Sequence, residues 1–164
     1  MEVMEHFEAL LKDLKEACQI HYGRRMVSLV VFGSVGRHLP KRDSDIDLLL
    51  IVDPLPEGRL RRVEEFEQVE HRLRDALKRG QDSGIHTRIS PVFKAPQEVR
   101  EGSPLLLDMV EDALILFDRE GFFLSIITAL KERLGRLGAH RVWKGDVWYW
   151  DLKPDFKPGE VFEL

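Results

Sequence analysis

The sequence has little of what marks secreted or membrane-inserted proteins. It contains a single cysteine, Cys18, which excludes a disulfide within the chain. No apolar run approaches the ~20 residues that a membrane-spanning helix needs. The first twenty residues carry five acidic side chains and no signal-like apolar core. These absences predict a cytoplasmic protein that does not enter a membrane.

An excess of basic charge is also missing. Lysine and arginine total 25 against 29 acidic residues, which gives a formal net charge of -4. This is the wrong sign for a protein that binds nucleic-acid phosphates in bulk, although a local basic groove stays open. The histidines show no spacing typical of zinc ligands, and neither the P-loop nor the complete dinucleotide-binding glycine pattern occurs.

The hydrophobic pattern predicts alternating helices and strands. The 164 residues are about the size of one domain, and we expect a single domain over residues 1–164. Apolar residues at helical spacing predict helices over residues 2–22, 59–79, 104–111 and 121–137. Apolar runs predict strands over residues 26–32, 46–52 and 113–117. An alternating pattern predicts another strand over residues 85–93, in which Pro91 indicates a sheet edge or the end of the strand. This order is typical of an α/β or α+β fold with a mixed sheet flanked by helices.

A glycine and a serine follow the first predicted strand. Gly33 has no Cβ and would let a phosphate approach the backbone, while Ser34 adds a hydroxyl donor. A helix beginning there would offer free N–H groups as well. Because glycine and serine are ordinary turn residues, this pair alone is also explained by a simple turn.

Two aspartates stand at the start of the second predicted strand. Residues two apart on a strand point to the same face, so Asp45 and Asp47 would present carboxylates about 6–7 Å apart at their Cα atoms. Oxygen ligands of this kind suit Mg²⁺, which commonly takes one or two carboxylates together with substrate phosphates. Two solvated acids at a strand entry are the alternative. That alternative fits Asp47 poorly, because it leads an apolar run that should be buried.

Together these residues resemble a known family. Gly33-Ser34, ten residues and Asp45-x-Asp47 are similar to the signature of the DNA polymerase β-like nucleotidyltransferase superfamily. Gly36-Arg37 after the serine resembles its small prokaryotic branch, the minimal nucleotidyltransferases. The resemblance implies that family's fold, with a core over about residues 1–95. The remainder, about residues 96–164, would be a helical and aromatic-rich extension.

The resemblance also implies a function and its residues. Gly33 and Ser34 would hold the nucleotide, with Arg37 and Arg42 near its phosphates, while Asp45 and Asp47 would be catalytic and bind one or two Mg²⁺ ions. The reaction would transfer a nucleoside monophosphate, most simply AMP from ATP, to an acceptor hydroxyl or phosphate. Basic residues in a loop are otherwise solvated, which is the plain alternative for both arginines.

One departure from the family opens a second interpretation. The third carboxylate expected on a later strand is missing from residues 85–93, where only Thr87 and His86 could assist. The chain could therefore be a nucleotide-binding antitoxin of little or no activity that binds or modifies a helical toxin of the HEPN type. A homo-oligomer also stays open.

Overall fold

The computed structural model describes residues 2–164. Its α-helices are α1 (Val3–Tyr22), α2 (Gly33–Gly36), α3 (Arg59–Asp82), α4 (Pro96–Arg100), α5 (Leu105–Met109) and α6 (Phe122–Leu137). Its strands are β1 (Met26–Phe32), β2 (Ile46–Val52), β3 (Ile89–Lys94), β4 (Leu114–Asp118), β5 (His140–Lys144) and β6 (Val147–Asp151). Short 3₁₀ turns cover Gly23–Arg25 and Arg119–Gly121.

A four-stranded mixed sheet in the order β3-β2-β1-β4 forms the centre of the fold. Strand β1 pairs antiparallel with β2 and β4, while β2 runs parallel to β3. Helices α1 and α3 pack on one face of the sheet, and α4, α5 and α6 pack on the other. Both faces of β1 and β2 are therefore buried, as their continuous apolar runs predict. The predicted fold class, a mixed sheet flanked by helices, is confirmed.

The third strand begins later than predicted. Residues 85–88 do not join the sheet as a regular strand, and β3 covers Ile89–Lys94. The backbone N–H of Ile85 instead donates to the Gly80 carbonyl at 2.9 Å, and that of His86 donates to the Arg42 carbonyl at 2.7 Å. The first bond closes the end of α3, and the second joins this segment to the loop before β2. The alternation of buried and exposed residues over 85–88 therefore does not come from strand pairing. Pro91 lies on an edge strand, as predicted.

The second long helix extends past its predicted end. The predicted helix ends at residue 79, whereas α3 continues through Gly80 to Asp82. The glycine serves close packing there, since an added Cβ would lie 2.6 Å from Cε1 of His6 on α1. In the part of the chain that the structure describes, no helix is long and apolar enough to cross a membrane.

The aromatic tail forms regular structure of its own. Strands β5 and β6 make an antiparallel hairpin in which Trp143 stands opposite Trp148. The extension predicted as helical and aromatic-rich therefore also contains two strands. Two alternating runs separated by Gly145-Asp146 are a hairpin signal, and Gly145 has the positive φ of 64° that such a turn uses.

Candidate active site

The predicted site lies where β1 ends beside the start of β2. The register places Phe32 opposite Asp47, so the turn after β1 meets the first residues of β2. Helix α2 is a single turn that begins directly at Gly33.

Gly33 is required by the geometry of the site. Its φ of +70° lies in the left-handed region, which side chains other than glycine rarely adopt. An added Cβ would also overlap Oδ2 of Asp47. The turn thus packs its bare backbone directly against one of the two predicted metal ligands.

The hydroxyl of Ser34 is held in place by the loop that follows. It donates to Oγ of Ser44 at 3.2 Å, and the same Ser44 oxygen accepts the backbone N–H of Lys41 at 2.8 Å. Ser44 therefore ties the glycine-serine turn to the residue that precedes Asp45. Ser34 and Ser44 are both partly exposed, so their hydroxyls stay within reach of a ligand.

The two aspartates differ in their surroundings. Asp45 is exposed and lies just before β2, where its Oδ1 accepts the backbone N–H of Arg88 at 3.1 Å. Asp47 is half-buried within β2, between Phe32 of β1 and Ser90 of β3. Because Ile46 is fully buried on the face that α1 and α3 cover, Asp47 lies on the opposite face, near enough to Asp45 for the two like charges to interact.

Burial raises the pKa of the Asp47 carboxyl, and the like charges of Asp45 and Asp108 raise it further. Within residues 2–164, no basic side chain forms an ion pair within 4.0 Å of Asp45 or Asp47. A partly desolvated carboxylate beside like charges is stabilised by a cation. These donors therefore fit a hard divalent cation such as Mg²⁺.

The structure does not supply a third ligand of that kind. No group of three or more histidine, cysteine, aspartate or glutamate side chains is arranged around one ion position in residues 2–164. Strand β3 has no acid, and the residue paired with Asp47 is the exposed Ser90. Thr87 is buried and His86 is exposed. Two carboxylates with water and phosphate oxygens would still satisfy Mg²⁺, which keeps several non-protein ligands.

The two predicted arginines lie on different sides of the loop. Arg37 donates to Oδ2 of the buried Asp112 at 3.2 Å, and its backbone N–H donates to the Gly33 carbonyl at 3.0 Å. Arg42 is exposed and donates to the Ser83 carbonyl at 3.0 Å, beyond the end of α3. Arg37 therefore stays with the glycine-serine turn, whereas Arg42 contacts a neighbouring loop.

Sequence reasoning missed the charged residues that support Arg37. Asp112 also accepts two bonds from Arg141 of β5, at 3.1 and 2.8 Å, and Arg141 has a side chain that is only 5% exposed. Asp108 of α5 is partly buried near the same group, and burial raises its pKa. The separations of 29 and 75 residues leave no local pattern that could have predicted these pairs.

A comparison with protein families identifies one match. The family described as "Nucleotidyltransferase domain" matches residues 11–157. This range contains both aspartates, the glycine-serine turn and the aromatic hairpin.

A curated relative comes from Methanocaldococcus jannaschii, where it is named as a candidate protein adenylyltransferase. It is 28% identical over 132 residues, which cover 78% of this chain and 83% of the relative.

Solved structures with a similar shape belong to toxin-antitoxin complexes. A chain of such a complex with AMP-PNP is 16% identical and has a TM-score of 0.44. The match covers 84% of this chain and 94% of that chain. A chain of the complex MntA-HepT is 13% identical and has a TM-score of 0.46. The match covers 80% of this chain and 92% of that chain. With TM-scores below 0.5, these similarities assign neither activity nor partner to this chain.

Proposed function

The chain belongs to the nucleotidyltransferase domain family, and from this premise we propose that it is a Mg²⁺-dependent enzyme that transfers AMP from ATP to an acceptor hydroxyl. The observation that carries the proposal is the packing of Gly33 against Asp47, beside Asp45 and without a basic partner for either carboxylate among residues 2–164. A turn of bare backbone that meets two unpaired carboxylates suits a metal-bound polyphosphate.

Each residue has a role in this reaction. Gly33 lets the phosphates approach the backbone, Ser34 donates its hydroxyl to a phosphate oxygen, and Asp45 and Asp47 hold the metal. Bound Mg²⁺ supplies charge neutralisation of the phosphates and makes the acceptor oxygen easier to deprotonate. The acceptor oxygen forms a bond to the α-phosphorus, the bond from that phosphorus to the β-phosphate oxygen breaks, and pyrophosphate leaves. The acceptor proton passes to solvent.

Arg37 is the basic side chain best placed to assist. Arg37 follows Gly33 by one helical turn, and its guanidinium keeps Asp112 as its partner. A guanidinium held in this way can face a phosphate with its remaining N–H groups. Arg42 would reach a phosphate only by leaving the Ser83 carbonyl, so we assign it a smaller part in nucleotide binding.

For the acceptor we propose a hydroxyl of a protein side chain. The name of the Methanocaldococcus jannaschii relative supports this class, because it describes transfer to protein. The acidic net charge of -4 also makes RNA a poor acceptor. The antitoxin alternative names a HEPN-type helical protein as the partner, and such a protein is therefore a candidate acceptor to include in the assay.

The test is a labelling assay with a matched control. The purified full chain is incubated with α-³²P-ATP and Mg²⁺, alone and with the protein encoded by the adjacent gene. We expect label on protein in the wild type, and loss of at least about 100-fold in Asp45→Asn and Asp47→Asn. Asp43→Asn removes the same charge from an exposed residue of the same loop and should label normally.

Two results would overturn the assignment. Equal labelling by wild type and Asp47→Asn would show that this carboxylate does not hold the metal. If calorimetry shows that the wild type does not bind ATP in the presence of Mg²⁺, the nucleotide site itself is wrong. Binding of ATP and of the partner without label on either would favour the antitoxin alternative.

A further inference from the structure

The hairpin β5–β6 turns one face toward the candidate active site. Its register puts four residues on that face, namely Arg141, Trp143, Trp148 and Trp150. Two of them anchor the hairpin. Arg141 holds the buried Asp112 through two hydrogen bonds, and Nε1 of Trp150 donates to the Leu107 carbonyl at 3.0 Å.

The free end of this face borders the glycine-serine turn. The guanidinium carbon of Arg37 lies 6.0 Å from the ring centre of Trp143. Arg37 is also bonded to Asp112, the same carboxylate that Arg141 holds. The buried carboxylate of Asp112 therefore holds both the hairpin and Arg37. This places Trp143 beside the glycine-serine turn.

Trp143 is the tryptophan of this face that stays available. Trp148 is covered by Arg141, whose guanidinium carbon lies 4.0 Å from its ring centre, and Trp150 is partly buried. Trp143 is 49% exposed and meets Trp148 at 6.4 Å between ring centres, with the rings tilted by 55°. A half-exposed aromatic ring beside the glycine-serine turn has the chemistry to stack on a nucleobase.

We propose that Trp143 stacks on the base of the nucleotide whose phosphates bind at Gly33 and Ser34. The inference rests on the proposed function, since it adds the base to the same nucleotide site. Stacking tolerates any base with a broad π-face, so ATP and GTP both gain from Trp143 and inorganic tripolyphosphate does not. The extension that follows the core thereby completes the nucleotide site.

Calorimetry on the full chain with Mg²⁺ tests the role of Trp143. We expect Trp143→Ala to weaken binding of ATP by about five- to a hundredfold, the range given by the loss of one stacked base. Binding of inorganic tripolyphosphate should stay as in the wild type. Trp143→Phe keeps an aromatic ring and should restore most of the affinity for ATP.

Tyr149 provides the matched control. It is 48% exposed on the same hairpin but lies on the opposite face, because its register partner is Val142. Tyr149→Ala should bind ATP and tripolyphosphate as the wild type does. Thermal unfolding of each variant identifies any that fails to fold, and Trp143→Phe then carries the test by its ratio of ATP to tripolyphosphate affinity.

The outcomes separate this inference from the proposed function. If the wild type binds both ligands and Trp143→Ala binds ATP equally well, the stacking role is wrong and the phosphate site stands. Equal weakening of ATP and tripolyphosphate would also overturn it, because Trp143 would then act through Arg37. If the wild type binds neither ligand, the proposed function fails first.

Discussion

Replacing Gly33 by alanine tests the contact between the turn and Asp47. At a φ of +70°, an alanine is strained by about 1–2 kcal/mol. The new Cβ would also overlap Oδ2 of Asp47, and overpacking of this kind typically costs about 1–3 kcal/mol. We therefore expect Gly33→Ala to lower the free energy of unfolding by about 2–5 kcal/mol and to displace the carboxylate.

Gly138 is the matched control for backbone strain. It has the same φ of +70° beyond the end of α6, and an added Cβ there meets no atom within 4 Å. Gly138→Ala should cost only the strain of about 1–2 kcal/mol. It should leave ATP binding unchanged, whereas Gly33→Ala should abolish it.

The decisive comparison repeats Gly33→Ala in the Asp47→Ala background. Removing the carboxylate removes the overlap, so Gly33→Ala should now cost as little as Gly138→Ala. The measurement is urea unfolding followed by circular dichroism, with EDTA present. An equal cost in both backgrounds, within about 0.5 kcal/mol, would refute the contact between Gly33 and Asp47.

Three further predictions follow from buried titratable groups. Burial raises the pKa of Cys18 to about 12, so a thiol reagent should label it slowly in the folded protein at pH 8 and rapidly in urea; fast labelling of the folded chain contradicts this. Burial, and then the charge of Arg79, lowers the pKa of His6. The stabilising contribution of neutral His6 is therefore present above the unfolded pKa of about 6.5 and is lost as the pH falls. Below that pH the unfolding free energy of His6→Leu should fall less steeply than that of the wild type, and equal slopes for the two proteins would refute the effect. In metal-free buffer Asp47→Asn should raise the melting temperature, because the substitution removes a half-buried charge beside two like charges. Addition of Mg²⁺ should raise the melting temperature of the wild type alone. A lower melting temperature of Asp47→Asn in metal-free buffer would contradict the repulsion among these charges.

The central strands and the turn between them could be predicted from sequence because their signals are local. The runs ending at Phe32 and Val52 are apolar on both faces, which predicts strands in the middle of a sheet. The spacing of Asp45 and Asp47 predicts one shared face from the period of a strand alone. The family resemblance of Gly33-Ser34 and Asp45-x-Asp47 adds the expectation of nucleotidyl transfer.

The surroundings of the site could not be predicted, because they depend on distant pairings. Asp112 joins Arg37 and Arg141, which lie 104 positions apart in the chain, through bonds that no spacing rule anticipates. Asp108 resembles a surface residue of a short apolar helix until the fold brings it near Asp47. The hairpin that carries Trp143 had a recognisable turn signal at Gly145-Asp146, but its place beside Arg37 follows only from tertiary packing.

The most direct test of AMP transfer compares two positions of the label in ATP. The full chain and its candidate acceptor protein are incubated with Mg²⁺ and either α-³²P-ATP or γ-³²P-ATP. We expect label on protein from the α-phosphate alone, together with release of pyrophosphate. Asp45→Asn and Asp47→Asn should lose both the protein label and the pyrophosphate release. Label from the γ-phosphate would show phosphoryl transfer and contradict the assignment.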